Sequence, residues 1–304
     1  MIIKKIALGL AIVASVNFFA ACSGSGSASE GSLEEVPDSL TDAPLQLSEN
    51  VVNDMIQNIS SPVEMANLIK NSGAGFSQNV LNPSDKMKDY NTSFKRALNL
   101  GIYSADLGYI NTFNKNTVVV SYLLAVKELA DGLNVGQFLD FGTLKRLATN
   151  STNLDSLKQL SVSSFNEMDK YLREQKRSNV STAIVAGAWV EGIYITSCVI
   201  EQTNDAELIN RLGEQKDIVN ILLIILNNFS KADPNFQALV SKINEVKAIY
   251  DNVRITTEFG EPISKEVDGM LVIEQKEISH VEITPEQVNQ IIDKIKAVRA
   301  FIVD

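Results

Sequence analysis

The chain has 304 residues, with 27 Lys and Arg against 37 Asp and Glu, a formal charge of −10, and 45% hydrophobic residues. An acidic body is repelled by phosphate backbones, and with no basic cluster to reverse the sign, nucleic-acid binding is disfavoured and none is expected. The chain holds 2 Cys and 1 His. That poverty removes zinc sites built on several His or Cys ligands and most hydrolases that rest on a histidine base.

The N-terminus reads first as an address. Met1-Ile2-Ile3-Lys4-Lys5 is followed by an apolar run from Ile6 to Val16 and then by Phe19-Ala20-Ala21-Cys22. A short basic start, a brief apolar core and small residues ahead of a cut describe a secretory signal over residues 1–21. A cysteine directly after Ala20-Ala21 resembles the lipobox of bacterial lipoproteins, with Phe19 where that family usually carries an aliphatic residue. The resemblance implies cleavage before Cys22 and acylation of its sulfur and new amino group, palmitate among the chains. Two or three acyl chains hold a protein stably on a membrane, each buried methylene contributing about 0.8 kcal/mol. Ser23 after the cysteine, rather than Asp, resembles the outer-membrane sorting of Gram-negative lipoproteins, on the periplasmic side. Ser23-Gly24-Ser25-Gly26-Ser27 opens a Ser-, Gly-, Pro- and acid-rich stretch to residue 47 that reads as a flexible tether. Removing Lys4 and Lys5 takes the charge of −10 to −12, and leaves Cys198 as the one remaining thiol, so no intramolecular disulfide is possible.

Residues 48–304 read as one helical domain. Ser61-Pro62-Val63-Glu64 is a capping box with Pro at the first helical position, and Gly73 suits the end of that helix. Asn82-Pro83-Ser84-Asp85 starts a second helix in the same style, with Met87, Tyr90, Phe94, Ala97 and Leu98 at spacings of three and four. Further helices are expected near 101–113, 116–133, 136–148, 154–160, 162–177, 180–202, 205–230 and 235–251, with Asp205 and Asp233-Pro234 as starts. Their short links imply antiparallel neighbours in a multi-helix bundle. Near 253–283 the period changes to two. Arg254–Phe259 and Ile278–Ile283 alternate, and Met270–Gln275 is a third candidate strand, so a small hairpin or ribbon is expected. Thr284-Pro285-Glu286-Gln287 then opens a last amphipathic helix through Val288, Ile291, Ile292, Ile295, Val298 and Phe301. The fold class is all-α.

Two segments carry the candidate chemistry. In the first, Asp106 is the lone charge between Arg96 and Lys115, with Tyr103 and Tyr109 each three residues away on the same helix face. In the second, Thr182 to Ile200, Glu191 is the lone charge, on one stripe with Gly187, Tyr194 and Cys198. A helix apolar nearly all round is central, so Glu191 is buried, and a buried carboxylate must be hydrogen-bonded, paired or protonated. The same run has the length of a membrane span, but its mid-helix Glu and its Gly187, Gly192 and Ser197 interruptions favour a core helix. Glycine, an aromatic two residues on, an acid and a tyrosine recur in both segments, as in a weak internal repeat.

Tyr103, Asp106, Tyr109, Glu191 and Tyr194 are therefore the candidate ligand-binding residues. The alternative is that the acids satisfy backbone donors, tyrosines or a basic residue inside the core, with the glycines permitting close helix crossing. Trp189 lies about 200° around the helix from Gly187 and reads as core, Cys198 as a small buried hydrophobe, and His280 as a surface or edge residue. Gly187–Gly192 lacks a phosphate-binding lysine and lies inside a helix. No cofactor, metal or catalytic residue is expected. Beyond the lipobox, the Asp106 segment with the strand-then-helix ending resembles uncharacterised helical envelope lipoproteins, a likeness that carries no activity. Three functions follow in order: a membrane-anchored binder of an envelope protein or small ligand, a scaffold of an envelope complex, and a hydrolase using Asp106 with Glu191 as a carboxylate pair.

Overall fold

A computed structural model describes residues 68–148, 154–259, 263–267, 270–274 and 277–304. All belong to one compact unit, Gln46–Asp304. The signal, Cys22, the tether and the Ser61 capping box lie outside the described residues.

The architecture is all-α, with a small antiparallel ribbon before the last helix. After a helical turn at residues 68–71 come α1 Ser93–Thr112, α2 Asn116–Gly132, α3 Phe141–Ala148, α4 Leu154–Glu174, α5 Ser178–Thr203, α6 Ala206–Ser230, α7 Pro234–Tyr250 and α8 Pro285–Val303. Their starts are largely those that cap chemistry dictates. Asp205 accepts from the Leu208 N–H to open α6, and Asp233 accepts from Asn235 N–H ahead of Pro234 to open α7. Thr284 and Gln287 close a full capping box on α8, each side chain taking the other's backbone N–H. Between α5 and α6 the chain turns in two residues, because Asn204 adopts the left-handed conformation, with φ 49°.

Other boundaries differ from the sequence expectation. The helix expected from Asn82 is a 3-10 stretch, Ser84–Asp89, ended by extended backbone at Tyr90. The α-helix begins afresh where the Thr92 hydroxyl accepts from Lys95 N–H, and it runs unbroken through the segment expected separately near 101–113. Asn82 is instead consumed as a buried polar residue, its backbone N–H held by Asp106 and its Nδ2 by Tyr90. The expected helix near 136–148 is a 3-10 turn at Gly136–Phe138 and then α3, which Asp140 caps by accepting from Thr143 N–H. The two pieces expected over 154–177 are the single helix α4.

Four strands are described rather than three, as two separate two-stranded sheets. β1 Arg254–Phe259 pairs with β4 Glu277–Glu282, and β2 Ile263–Val267 pairs with β3 Met270–Glu274, all antiparallel. The register slips by one between the two pairings. Phe259 faces Glu277 and Ile263 faces Glu274, so three residues separate the strands on one arm and two on the other. β2 escapes the sequence reading because only its ends are apolar and Pro262 precedes it. Val281 and Ile283 seat the ribbon's base on Gly213 of α6.

The centre of the fold is a helix pair distant in sequence. α1 packs along α5, in the same direction: Gly101 meets Ile184 and Ala188, Gly187 meets Leu98, and further along Asp106 meets Glu191. The pair is therefore parallel, while α2 and α6 fold back beside α1 and α5 after short links. α8 lies against α1, α5 and α7, and its Ile291, Ile292, Ile295, Val298 and Ile302 are buried. The most apolar window of α5 is long enough to cross a membrane by length and composition, and 78% of it is buried inside the protein.

Candidate functional site

Gly101 and Gly187 bring the two polar segments together. A Cβ on Gly101 would sink into the carbonyl oxygen of Ile184, and one on Gly187 into that of Leu98. Ile184 precedes Gly187 by three residues, and Leu98 precedes Gly101 by three. Each glycine thus rests on the equivalent carbonyl of the other helix. This is the reciprocity expected when two similar helices pack about a local twofold. The repeated aromatics obey the same relation. Tyr103 packs edge-on against Tyr122 of α2, the helix that follows its own, and Trp189 donates from Nε1 to Gln215 Oε1 of α6, the helix that follows its own. The recurrence of glycine and aromatic in sequence is thus a recurrence in space, while the acid and the tyrosine fall one residue earlier after Gly187 than after Gly101.

The two acids meet where the pair leaves its glycine crossing. Both are fully buried, Asp106 and Glu191 each at 0% exposure, and they are neighbours across the helix pair. The sequence reading placed them on separate helices without bringing them together. It missed the third member, Arg299 of α8. The Arg299 guanidinium grips Glu191 with two bonds, Nε to Oε2 at 2.7 Å and Nη2 to Oε1 at 2.8 Å. Such a fork is the strongest geometry available to a carboxylate. Nη2 also reaches the Val80 carbonyl at 3.4 Å, and the guanidinium lies over the Tyr194 ring, 4.0 Å from its centre. Arg299 was legible in one respect: residues 288, 292, 295, 299 and 302 form one apolar stripe of α8, and a lone charge on that stripe must find a buried partner.

Most of the remaining polar groups are engaged by the protein itself, the exceptions at this corner being Asp106 Oδ1 and Asn82 Oδ1. Asp106 Oδ2 accepts the Asn82 backbone N–H at 3.1 Å. Asn82 Nδ2 donates to Tyr90 Oη, the Tyr90 hydroxyl donates to the Val303 carbonyl, and Asn99 Nδ2 donates to the Ile302 carbonyl. These bonds satisfy carbonyls at the end of α8 that have no partner within the helix. The Tyr103 hydroxyl donates to Pro83 O at 2.7 Å, and Tyr109 Oη accepts the Ser77 N–H at 3.0 Å. The cluster thus ties the segment before α1, the α1–α5 pair and α8 into one corner.

The electrostatics follow from burial. Burial pushes the Asp106 carboxyl well above the usual carboxylate range, and the charge of Glu191 and a hydrogen bond with it push the same way, against Arg299 and the Asn82 N–H. Burial opposes the Arg299 charge, but the bonds and charge of Glu191 outweigh it and raise its value. Burial, and then the neighbouring Cys198, lift the Tyr194 phenol to about 12.

The five sequence candidates are therefore gathered: Tyr103, Asp106 and Tyr109 on α1, with Glu191 and Tyr194 on α5. Trp189 is core, as expected. His280 is exposed on β4, 3.6 Å from Glu258. Cys198 is half-buried rather than buried, beside Tyr194, and burial pushes its thiol upward, which keeps the nucleophilic thiolate scarce. Among the described residues no group of three His, Cys, Asp or Glu is placed to hold a metal. No family model matches the chain, and neither the curated proteins nor the solved structures contain a match to it.

Proposed function

We propose that this is a lipid-anchored protein of the outer membrane, facing the periplasm, whose helical body works by non-catalytic binding. The anchor reading rests on the lipobox at Cys22 and the Gly/Ser tract behind it. The observation that carries the non-catalytic reading is the Arg299–Glu191 fork: the protein spends its most polar buried group on its own C-terminal helix. A glycosidase carboxylate pair holds its acids about 5 Å or more apart, with substrate or water between them, and a hydrolase whose two acids share a proton needs water at their open face. Here the two acids are neighbours away from solvent, which supports the core role over the catalytic one. The same closure favours a partner protein over a small ligand, since Tyr103, Tyr109 and Asp106 already hold backbone groups of the segment before α1. Recognition then belongs to the outer surface, and a scaffold of an envelope complex is the form such binding would take.

Two experiments test the reading. Cys22→Ser is expected to release the protein from the membrane fraction into the soluble periplasm, read by fractionation and by loss of the acyl mass on the N-terminal peptide. Retention on the membrane would overturn the anchor. Asp106→Asn is expected to leave cellular function intact wherever the variant folds, because the residue serves the core. Loss of function in a folded variant would return the cluster to the list of working sites.

A further inference from the structure

Asp106 presents an accounting problem. Its Oδ2 accepts from Asn82, but Oδ1 is buried and, as a carboxylate oxygen, has no donor. Buried oxygens are rarely left so. The group beside it is Glu191, an acceptor whose two oxygens both take bonds from Arg299. Two neighbouring acceptors need a proton between them. The other groups that face Asp106 do not supply one. Tyr103 gives its hydroxyl proton to Pro83 O, Tyr90 before α1 gives its own to Val303 O, and Tyr122 of α2 makes no hydrogen bond to Oδ1. Asp85 bears on Tyr122 and only adds negative charge, Lys86 is spent on Val303 O and Asp304, and Arg299 is committed to Glu191 and Val80.

We propose that Asp106 and Glu191 share a single proton, carried by Asp106 Oδ1 and donated to the Glu191 carboxylate, and that this proton latches α8 onto the α1–α5 pair. The arrangement then balances: one neutral acid, one carboxylate and one guanidinium, with every oxygen satisfied. It also makes the corner sensitive to alkali. The unfolded Asp106 carboxyl ionises near an ordinary value of about 3.9, whereas the folded one keeps its proton to higher pH. Across the interval between those values the folded state binds one more proton than the unfolded state. Stability is therefore greatest on the acid side and falls as pH rises through the folded value, the unfolding constant growing by up to about tenfold for each pH unit. Above that range, two carboxylates face one guanidinium without water.

The test is carbon-13 carboxyl NMR of the full protein labelled selectively in aspartate, with no substitution needed. One aspartate resonance is expected at the protonated position at neutral pH, moving to the carboxylate position only on the alkaline side. If every aspartate resonance is at the carboxylate position at neutral pH, the shared proton does not exist. Asp106→Asn supplies the assignment and the second readout. It should remove that resonance and abolish the fall in denaturant stability between mildly acidic and alkaline pH. A persistent resonance, or an unchanged pH slope, would overturn the proposal. If the asparagine variant does not fold, Glu191→Gln tests the same pair: it removes the neighbouring negative charge, so the aspartate resonance should move to the carboxylate position at lower pH than in the parent, and an unmoved titration would overturn the proposal.

Discussion

Replacing Arg299 by methionine will be the most destabilising single change on α8. The side chain is of similar length and apolar, so the stem's packing survives while the fork to Glu191 is lost. Glu191 is then a carboxylate at 0% exposure with no cation. Breaking a buried pair by removing one partner costs about 3–5 kcal/mol, far above the net worth of the pair itself, because the surviving charge is stranded. Loss of the guanidinium over the Tyr194 ring adds a smaller amount, about 0.5–2 kcal/mol. Urea unfolding at neutral pH should show the loss in the midpoint with little change in slope. The companion variant settles the cause. Glu191→Leu in the Arg299→Met background should recover most of the stability, since an apolar pair of similar volume is often as good as a buried ion pair. A cost below about 1 kcal/mol for Arg299→Met would place Glu191 in contact with water, contrary to the packing described. A double variant no better than the single would show that geometry, not charge, holds α8.

The exposed ion pairs of the same helix offer the contrast. Lys294 reaches Glu245 at 2.7 Å and Lys296 reaches Glu201 at 2.6 Å, distances no longer than those of the Arg299 fork. Both are surface pairs, in which solvent and salt take most of the Coulomb gain. Equal distances thus carry unequal consequences, and burial decides between them.

How far the sequence reached is clearest at this corner. Glu191 as a buried acid followed from the apolar run around it, because a charge amid so much apolar surface has nowhere to go but inside. The close crossing at Gly101 and Gly187 followed as an alternative, since only a residue without a side chain admits a neighbouring backbone. The meeting of Asp106 with Glu191 did not follow. It depends on α1 lying parallel to α5, and α2, α3 and α4 intervene. Short links fix the direction of sequence neighbours but say nothing about helices that far apart. Arg299 stayed hidden for a related reason: the amphipathic pattern of α8 marks its buried side, and the pairing needs the partner's position. At Asn82-Pro83-Ser84-Asp85 the local signals for a helix start were sound, and tertiary structure overrode them. The Asn82 N–H is held by Asp106 and the Pro83 carbonyl by Tyr103, so the chain there is pinned by long-range bonds before a helix can form.

Gly187→Ala and Gly101→Ala carry the second large expectation, and its sign runs against helix propensity. In an exposed helix interior, alanine is favoured over glycine by about 1 kcal/mol. At these two positions the added methyl would overlap a carbonyl oxygen of the facing helix, Leu98 in one case and Ile184 in the other. Backbone atoms in mid-helix cannot step aside as a side chain can. The α1–α5 pair must open instead, and the acids and Arg299 that depend on that spacing move with it. Overpacking a close-packed core costs about 1–3 kcal/mol and sometimes more, and here each substitution should sit at or above the upper end, with the double variant failing to fold. Gly192, on the same helix, is the control. A Cβ there meets nothing within 4 Å, so Gly192→Ala should be neutral or stabilising by about 1 kcal/mol. Thermal unfolding of the three single variants distinguishes the two regimes directly. If Gly187→Ala melts with the parent while Gly192→Ala does not, the helices do not cross where the glycines place them, and the reciprocal packing that unites both polar segments fails with it.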